Sequence, residues 1–224
     1  MKVSRVSEMR ALDREAIEKH GIPGDILMEN AGLAAYRVLS GEVPVQGGRF
    51  AVICGEGNNG GDGFVLARKI ISDGGTARVY VLGGRNKMTG AAKRNLDILL
   101  KMPVEIKEVR SVPAIRMEVL HCDAVVDALF GTGLARAVEG LHREVIDLVN
   151  ECRGPVISLD IPSGVNGDTG EVMGAAVKAD FTVTFGLPKV GNLLYPGYEH
   201  CGTLFVSHIS FPPALSLSRR LKIE

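Results

Sequence analysis

Asp127 and Asp160 each close a short β-branched run, Ala124-Val-Val-Asp-Ala128 and Val156-Ile-Ser-Leu-Asp-Ile161, and each is followed by a loop of Gly, Ser, Thr or Asn. If the two runs are neighbouring strands, about 4.8 Å apart, two carboxylates meet at one sheet edge. Groups that close do not both stay ionised without a cation or strong hydrogen bonds. Carboxylate, carboxamide and hydroxyl oxygens are hard ligands suited to alkali or alkaline-earth ions. One aspartate is therefore a candidate cation ligand together with Asn59 and Ser163, and the other a candidate for proton transfer. The alternative is that both aspartates simply cap their loops.

A second concentration of chemistry lies at Gly55-Glu-Gly-Asn-Asn-Gly-Gly-Asp-Gly63, between the strand-like Arg49-Phe-Ala-Val-Ile-Cys54 and a helix-like run from Phe64. Glycines at such a turn let the backbone approach a ligand closely. Gly55, Gly57 and Gly60 satisfy the dinucleotide pattern G-x-G-x-x-G. A redox site of that type also needs a carboxylate at the end of the second strand. Here that strand ends Val81-Leu-Gly-Gly-Arg-Asn86, with no carboxylate, although Arg85 suits a phosphorylated ribose. No G-K-[ST] follows, which excludes a P-loop. Asp62, placed where the helix is expected to begin, competes with a phosphate for the helix N–H groups. Hydride transfer is thus disfavoured.

The elements that must position these groups follow from periodicity. Strands are expected at 49–54, 77–82, 104–109, 124–128, 156–161, 181–185 and 203–207, and helices at 63–72, 89–101, 114–121 and 140–152. Nearly continuous apolar strands alternating with helices imply an α/β fold, a mostly parallel sheet covered on both faces. The last strands, with shorter connections, are expected to be partly antiparallel. Two further helices, 7–20 with Ser7 as N-cap and 26–39, precede the sheet. In such sheets ligands collect at the carboxyl ends of the strands. The loops after 54, 127, 160 and 185 converge there, the strongest physical sign of a small-molecule site.

At 224 residues and zero formal charge, the chain suits one domain with no electrostatic case for nucleic acid or acidic membranes. No apolar run has signal-peptide or membrane-span character. Cys54, Cys122, Cys152 and Cys201 are widely spaced and form no C-x-x-C pair, as expected of buried, reduced thiols in a cytoplasmic protein. No histidine cluster suggests zinc. Lys189 reads either as a partner for a substrate phosphate or as a solvated surface lysine. Glu29 and Asn30 border the site or cap it, and Met9 and Met28 read as core or dimer contacts.

Five motifs taken together, Leu27-Met-Glu-Asn-Ala-Gly32, the glycine loop at 55–63, Asp127-Ala-Leu-Phe-Gly-Thr-Gly-Leu134, Asp160-Ile-Pro-Ser-Gly-Val-Asn-Gly-Asp-Thr-Gly170 and Phe185-Gly-Leu-Pro-Lys189, resemble the YjeF N-terminal domain family. The resemblance covers almost the whole chain. It implies a Rossmann-like three-layer α/β/α sandwich with two added N-terminal helices. It also implies NAD(P)H-hydrate epimerase activity, the interconversion of the R and S epimers of hydrated NADH and NADPH so that a separate dehydratase can repair the S form. By the same resemblance, substrate is bound by Asn58, Asn59, Gly60, Gly61 and Asp62, by Gly131, Thr132, Gly133, Leu134, Ala135, Arg136 and Ala137, and by Asp160. One potassium ion per subunit is implied at Asn59, Asp127 and Ser163, and a homodimer is the implied assembly. Asp160 is the candidate acid/base. Some such domains are non-catalytic scaffolds, including in RNA-decapping factors, but the acidic residues are retained here. The chain is too short to add a ribokinase-like dehydratase domain, so it is expected to be a stand-alone epimerase or part of a longer protein.

Overall fold

The computed structural model describes residues 2–217. Seven strands form one sheet in the order β3-β2-β1-β4-β5-β6-β7. They are β1 (Arg49–Cys54), β2 (Thr76–Val81), β3 (Glu105–Glu108), β4 (Ala124–Ala128), β5 (Val156–Leu159), β6 (Phe181–Phe185) and β7 (Thr203–Ser207). Side chains alternate between faces along a strand. Phe50, Val52 and Cys54 therefore enter one core, whereas Ala51 and Ile53 enter the other. With both faces buried, β1 reads as an unbroken apolar run.

The first core is covered by α1 (Val6–Glu18), α2 (Gly24–Glu42), α3 (Asn58–Ser72), α4 (Gly90–Leu99) and the short α9 (Pro213–Leu217). The second lies under α5 (Arg116–Leu120) and α6 (Gly140–Asn150). Met9, Leu12 and Ala16 are the buried stripe of α1, as their spacing predicts. The cap differs from the expected one. Arg5, not Ser7, is the N-cap, and Glu8 accepts from its backbone N–H at 2.7 Å.

Two further expectations are corrected. The sheet is parallel throughout, β6–β7 included. The short α7 (Val190–Leu193) and α8 (Gly197–Cys201) carry the chain back after β6, and residues 160–180 make the β5–β6 crossover without a helix. Secondly, α3 starts at Asn58 rather than at 63, with Gly57 as N-cap. The Asn-Asn-Gly-Gly-Asp segment is thus the first helical turns, and Asp62 stands inside the helix instead of at its mouth.

Candidate active site

Strand order reverses between β1 and β4, and in a parallel sheet that switch point opens a crevice beyond the carboxyl ends. A cleft of about 1230 Å³ occupies this place, walled by the loops after β1, β4, β5 and β6 and by α1 and α2. It exceeds the usual 300–1,000 Å³ of small-molecule pockets.

The floor is built by backbone packed on backbone. A Cβ added at Gly55 would lie 2.0 Å from the Leu129 carbonyl oxygen, and one at Gly60 would lie 2.1 Å from the Gly55 carbonyl oxygen. These two glycines join the first turn of α3 to the β4 loop. No side chain caps α3, whose Gly57, Asn58 and Asn59 line the cleft. Gly55→Ala is expected to cost about 3 kcal/mol, the upper part of the overpacking range, and to lower Tm by roughly 6–12 °C in a domain of this size. Calorimetry showing an unchanged Tm would contradict this packing.

Asp160 follows β5 with φ of 68°, the left-handed region that Asp tolerates better than most residues. The turn presents its carboxylate to the cleft, where it forms an ion pair with Lys189. Lys189 is 1% exposed, yet its ammonium also donates to Thr184 Oγ1 at 2.9 Å and to the Phe185 carbonyl at 2.9 Å. All three of its protons are therefore engaged. Neither sequence reading of Lys189 holds. It is not a surface lysine, and it has no spare donor for a phosphate; it holds the Asp160 carboxylate instead. The Lys189 loop is itself fastened to the start of the chain, where Ser4 N–H donates to the Pro188 carbonyl and Val190 N–H to the Ser4 carbonyl, at 2.8 and 3.0 Å.

Asp127 lies one strand away, where β4 pairs with β5, but beneath the cleft and not in its lining. It is 2% exposed and accepts four hydrogen bonds, from Ser158 Oγ (2.7 Å), Ser163 N–H (2.9 Å), Ser163 Oγ (2.5 Å) and Leu129 N–H (3.3 Å). Burial pushes its pKa up, and the serine and backbone donors pull against that. The two aspartates thus do not share one proton site: one is buried in hydrogen bonds and the other is salt-bridged. Beside them Asn59 is buried with both amide atoms unpartnered. Its carboxamide and the Asp160 carboxylate both approach Gly131, within 3.4 Å of where a Cβ would sit. An unpartnered amide oxygen, and a buried carboxylate with no basic side chain paired to it among the described residues, fit a hard alkali cation held by Asn59, Asp127 and Ser163.

Of the expected substrate residues, Asn58, Asn59, Asp62, Asp160 and all of 131–137 except the exposed Ala135 line the cleft. Gly60 and Gly61 stand behind that lining, Gly61 against Met28. Asp62 is buried, and burial followed by the neighbouring Asp160 and Asp13 charges raises its pKa well above the ordinary carboxylate value. Met9 and Met28 are core residues at the cleft edge, 5% and 6% exposed. Glu29 pairs with Arg68 and Lys69, and Asn30 donates to Ser210 Oγ at 2.8 Å. Cys54 and Cys201 are buried as expected, but Cys122 and Cys152 are only half-buried.

Sequence reasoning gave no role to four contributors. Glu56, from the β1 loop, accepts from Gly84 N–H at 2.9 Å and pairs with Lys87 at 3.1 Å, placing a carboxylate beside the end of β2 where none is encoded locally. Phe130 and His142 stack with ring centroids 5.3 Å apart at the cleft wall. Asp13 lines the cleft from α1. Its one signal is its place four residues after the buried Met9.

The family model described as YjeF-related protein N-terminus matches residues 24–191. The bifunctional NAD(P)H-hydrate repair enzyme Nnr of Thermofilum pendens is 50% identical over 226 residues, covering 100% of this chain and 43% of that protein. The NAD(P)H-hydrate epimerase of Limosilactobacillus fermentum is 37% identical over 201 residues, covering 90% of this chain and 93% of that protein. The chain thus spans less than half the length of the bifunctional relative. The crystal structure of yeast ynu0, YNL200c, matches with a TM-score of 0.77 at 22% identity, over 86% of this chain and 84% of that one, and shares the fold.

Proposed function

Because the chain belongs to the YjeF-related protein N-terminus family, we propose that it is an NAD(P)H-hydrate epimerase, acting at C6 of the hydrated nicotinamide ring. The observation that carries the reading is the Asp160–Lys189 pair opening into a dinucleotide-sized cleft at the switch point. The substrate is a hemiaminal. Its C6 centre inverts by losing and regaining hydroxyl through an iminium, or by ring opening to an aldehyde, and either route moves protons without moving hydride. Asp160 is the group we assign to that proton traffic. Its pairing with Lys189 keeps an anion facing the ring, favouring positive charge that develops there.

The uncapped start of α3 suits a phosphate of the dinucleotide, and the Phe130–His142 stack offers a planar ring an apolar face. Asn59, Asp127 and Ser163 would hold potassium, which supplies positive charge to a buried carboxylate that otherwise relies on hydrogen bonds alone. The proposal extends to a homodimer and to functional coupling with an NAD(P)H-hydrate dehydratase, in line with the bifunctional relative's name. Among the described residues no helix is long and apolar enough to cross a membrane.

The test supplies the purified chain with R-enriched hydrated NADH and follows the epimer ratio by chromatography, in potassium and in sodium buffers. The expected result is acceleration over the spontaneous rate, greater in potassium. No acceleration in either buffer would leave a nucleotide-binding scaffold as the better reading.

A further inference from the structure

The mechanism above leaves a proton donor unassigned. Epimerisation at C6 through an iminium needs two proton events: one delivers a proton to the departing hydroxyl, and the other removes one from the incoming water. Asp160 faces the cleft and is ion-paired with Lys189, a lysine anchored by Thr184 and Phe185, which suits it to the removal. Lys189 cannot deliver, since its protons are bound to Asp160, Thr184 and Phe185. Asp127 is sealed beneath the cleft.

Building on the epimerase reading, we propose that Asp13 is the second catalytic carboxyl, the acid that protonates the C6 hydroxyl as it leaves. Asp13 lines the same cleft as Asp160 but comes from α1, an element outside the sheet. That helix is tied over the site at three points. Ser4 bridges to the Lys189 loop, Val6 N–H donates to Asp168 at 2.7 Å, and Arg10 donates to the Thr132 carbonyl at 3.2 Å. A helix tied to the loops after β4, β5 and β6 holds its carboxyl in a fixed place, as proton transfer at one carbon requires.

Burial first, and then the Asp160 charge, push the Asp13 carboxyl up to about 6 against the opposing pull of Lys189. Asp62 on α3 also feels the Asp13 charge. A carboxyl raised to about 6 cycles near neutrality, whereas burial raises Asp62 well above the ordinary carboxylate range.

In the step proposed, Asp13 gives its proton to the hydroxyl, and the C6–O bond breaks with its electron pair going to oxygen. The oxygen leaves as water, and the ring nitrogen lone pair forms the C–N double bond of the iminium. Water then adds to the other face of C6 through its own lone pair, the π pair returns to nitrogen, and the released proton passes to Asp160. Exchange with solvent through the open cleft resets both carboxyls, and the other epimer follows the same steps in reverse.

The experiment compares wild type, Asp13→Asn and Asp13→Glu in the epimer-ratio assay between pH 5 and 8, with the spontaneous rate subtracted. Asp13→Asn is expected to lose roughly 10²-fold in kcat with KM nearly unchanged, within the span that general acids contribute. The wild-type rate falls above about pH 6, that limb is absent from Asp13→Asn, and Asp13→Glu recovers part of the rate. Asp13→Asn is expected to keep the fold. A carboxyl raised in the folded state costs stability as pH climbs from 3.8 towards about 6, so the uncharged Asn removes a penalty above that window. A wild type that accelerates epimerisation beside an Asp13→Asn of equal kcat and pH profile, or one changed in KM alone, overturns this assignment and leaves the epimerase reading standing. A wild type that does not accelerate epimerisation overturns the epimerase reading, and this inference with it.

Discussion

Asp160→Asn is expected to lower the rate of hydrated NAD(P)H epimerisation by roughly 10²–10⁴-fold, the usual contribution of a positioned acid or base. The substitution is a clean one for the backbone. Asn tolerates the left-handed conformation that Asp160 adopts at φ of 68°, so the turn after β5 survives. What disappears is the anion that Lys189 holds toward the cleft. The loss should fall on kcat, because the carboxylate serves charge that develops during reaction more than it serves ground-state binding. An Asp160→Asn protein with wild-type kcat would remove Asp160 from the chemistry.

Lys189→Met should show the opposite division, a large loss of stability together with the loss of activity. The ammonium is among the most deeply buried groups in the molecule, at 1% exposure, and three acceptors depend on it. Removing one partner of a buried pair leaves the other charge uncompensated, at a cost of about 3–5 kcal/mol. For a domain of this size that is a fall in Tm of roughly 6–20 °C. The double variant Asp160→Asn/Lys189→Met removes both charges and should regain most of the stability while staying inactive. Thermal melts of the two singles and the double give the coupling directly. If the double is as unstable as Lys189→Met alone, the pair is not what holds this corner of the fold.

Most of the sheet was legible in the sequence, because a strand buried on both faces has no freedom to be anything but apolar. β1, β4, β6 and β7 occupy the residues that their β-branched runs predict. The start of α3 was not legible. Asn and Gly are poor helix formers, and only the tertiary demand for close backbone approach at Gly55 and Gly60 makes a helix of them. The direction of β7 was hidden because crossovers as short as α7 and α8 resemble hairpin connections. The motif residues that line the cleft were found, since they sit at strand ends or in the segments that follow them. Lys189 misled, because its acceptors come from residues 160, 184 and 185, and no local pattern marks a lysine for burial. Asp13 was missed for the same reason: its surroundings are all remote in sequence.

The bond between Ser4 and the Pro188 carbonyl joins residues 184 positions apart. It gives the protein an order of assembly. On a ribosome the first residues emerge long before their partner exists, and α1 has nothing to lie across until the β6 loop has been made. The cleft therefore reaches its finished form late, after the sheet beneath it, through contacts of very long range that are slow to close. A bulky N-terminal fusion would press on that closing seam, whereas the same fusion placed after the last described helix would be remote from it in sequence.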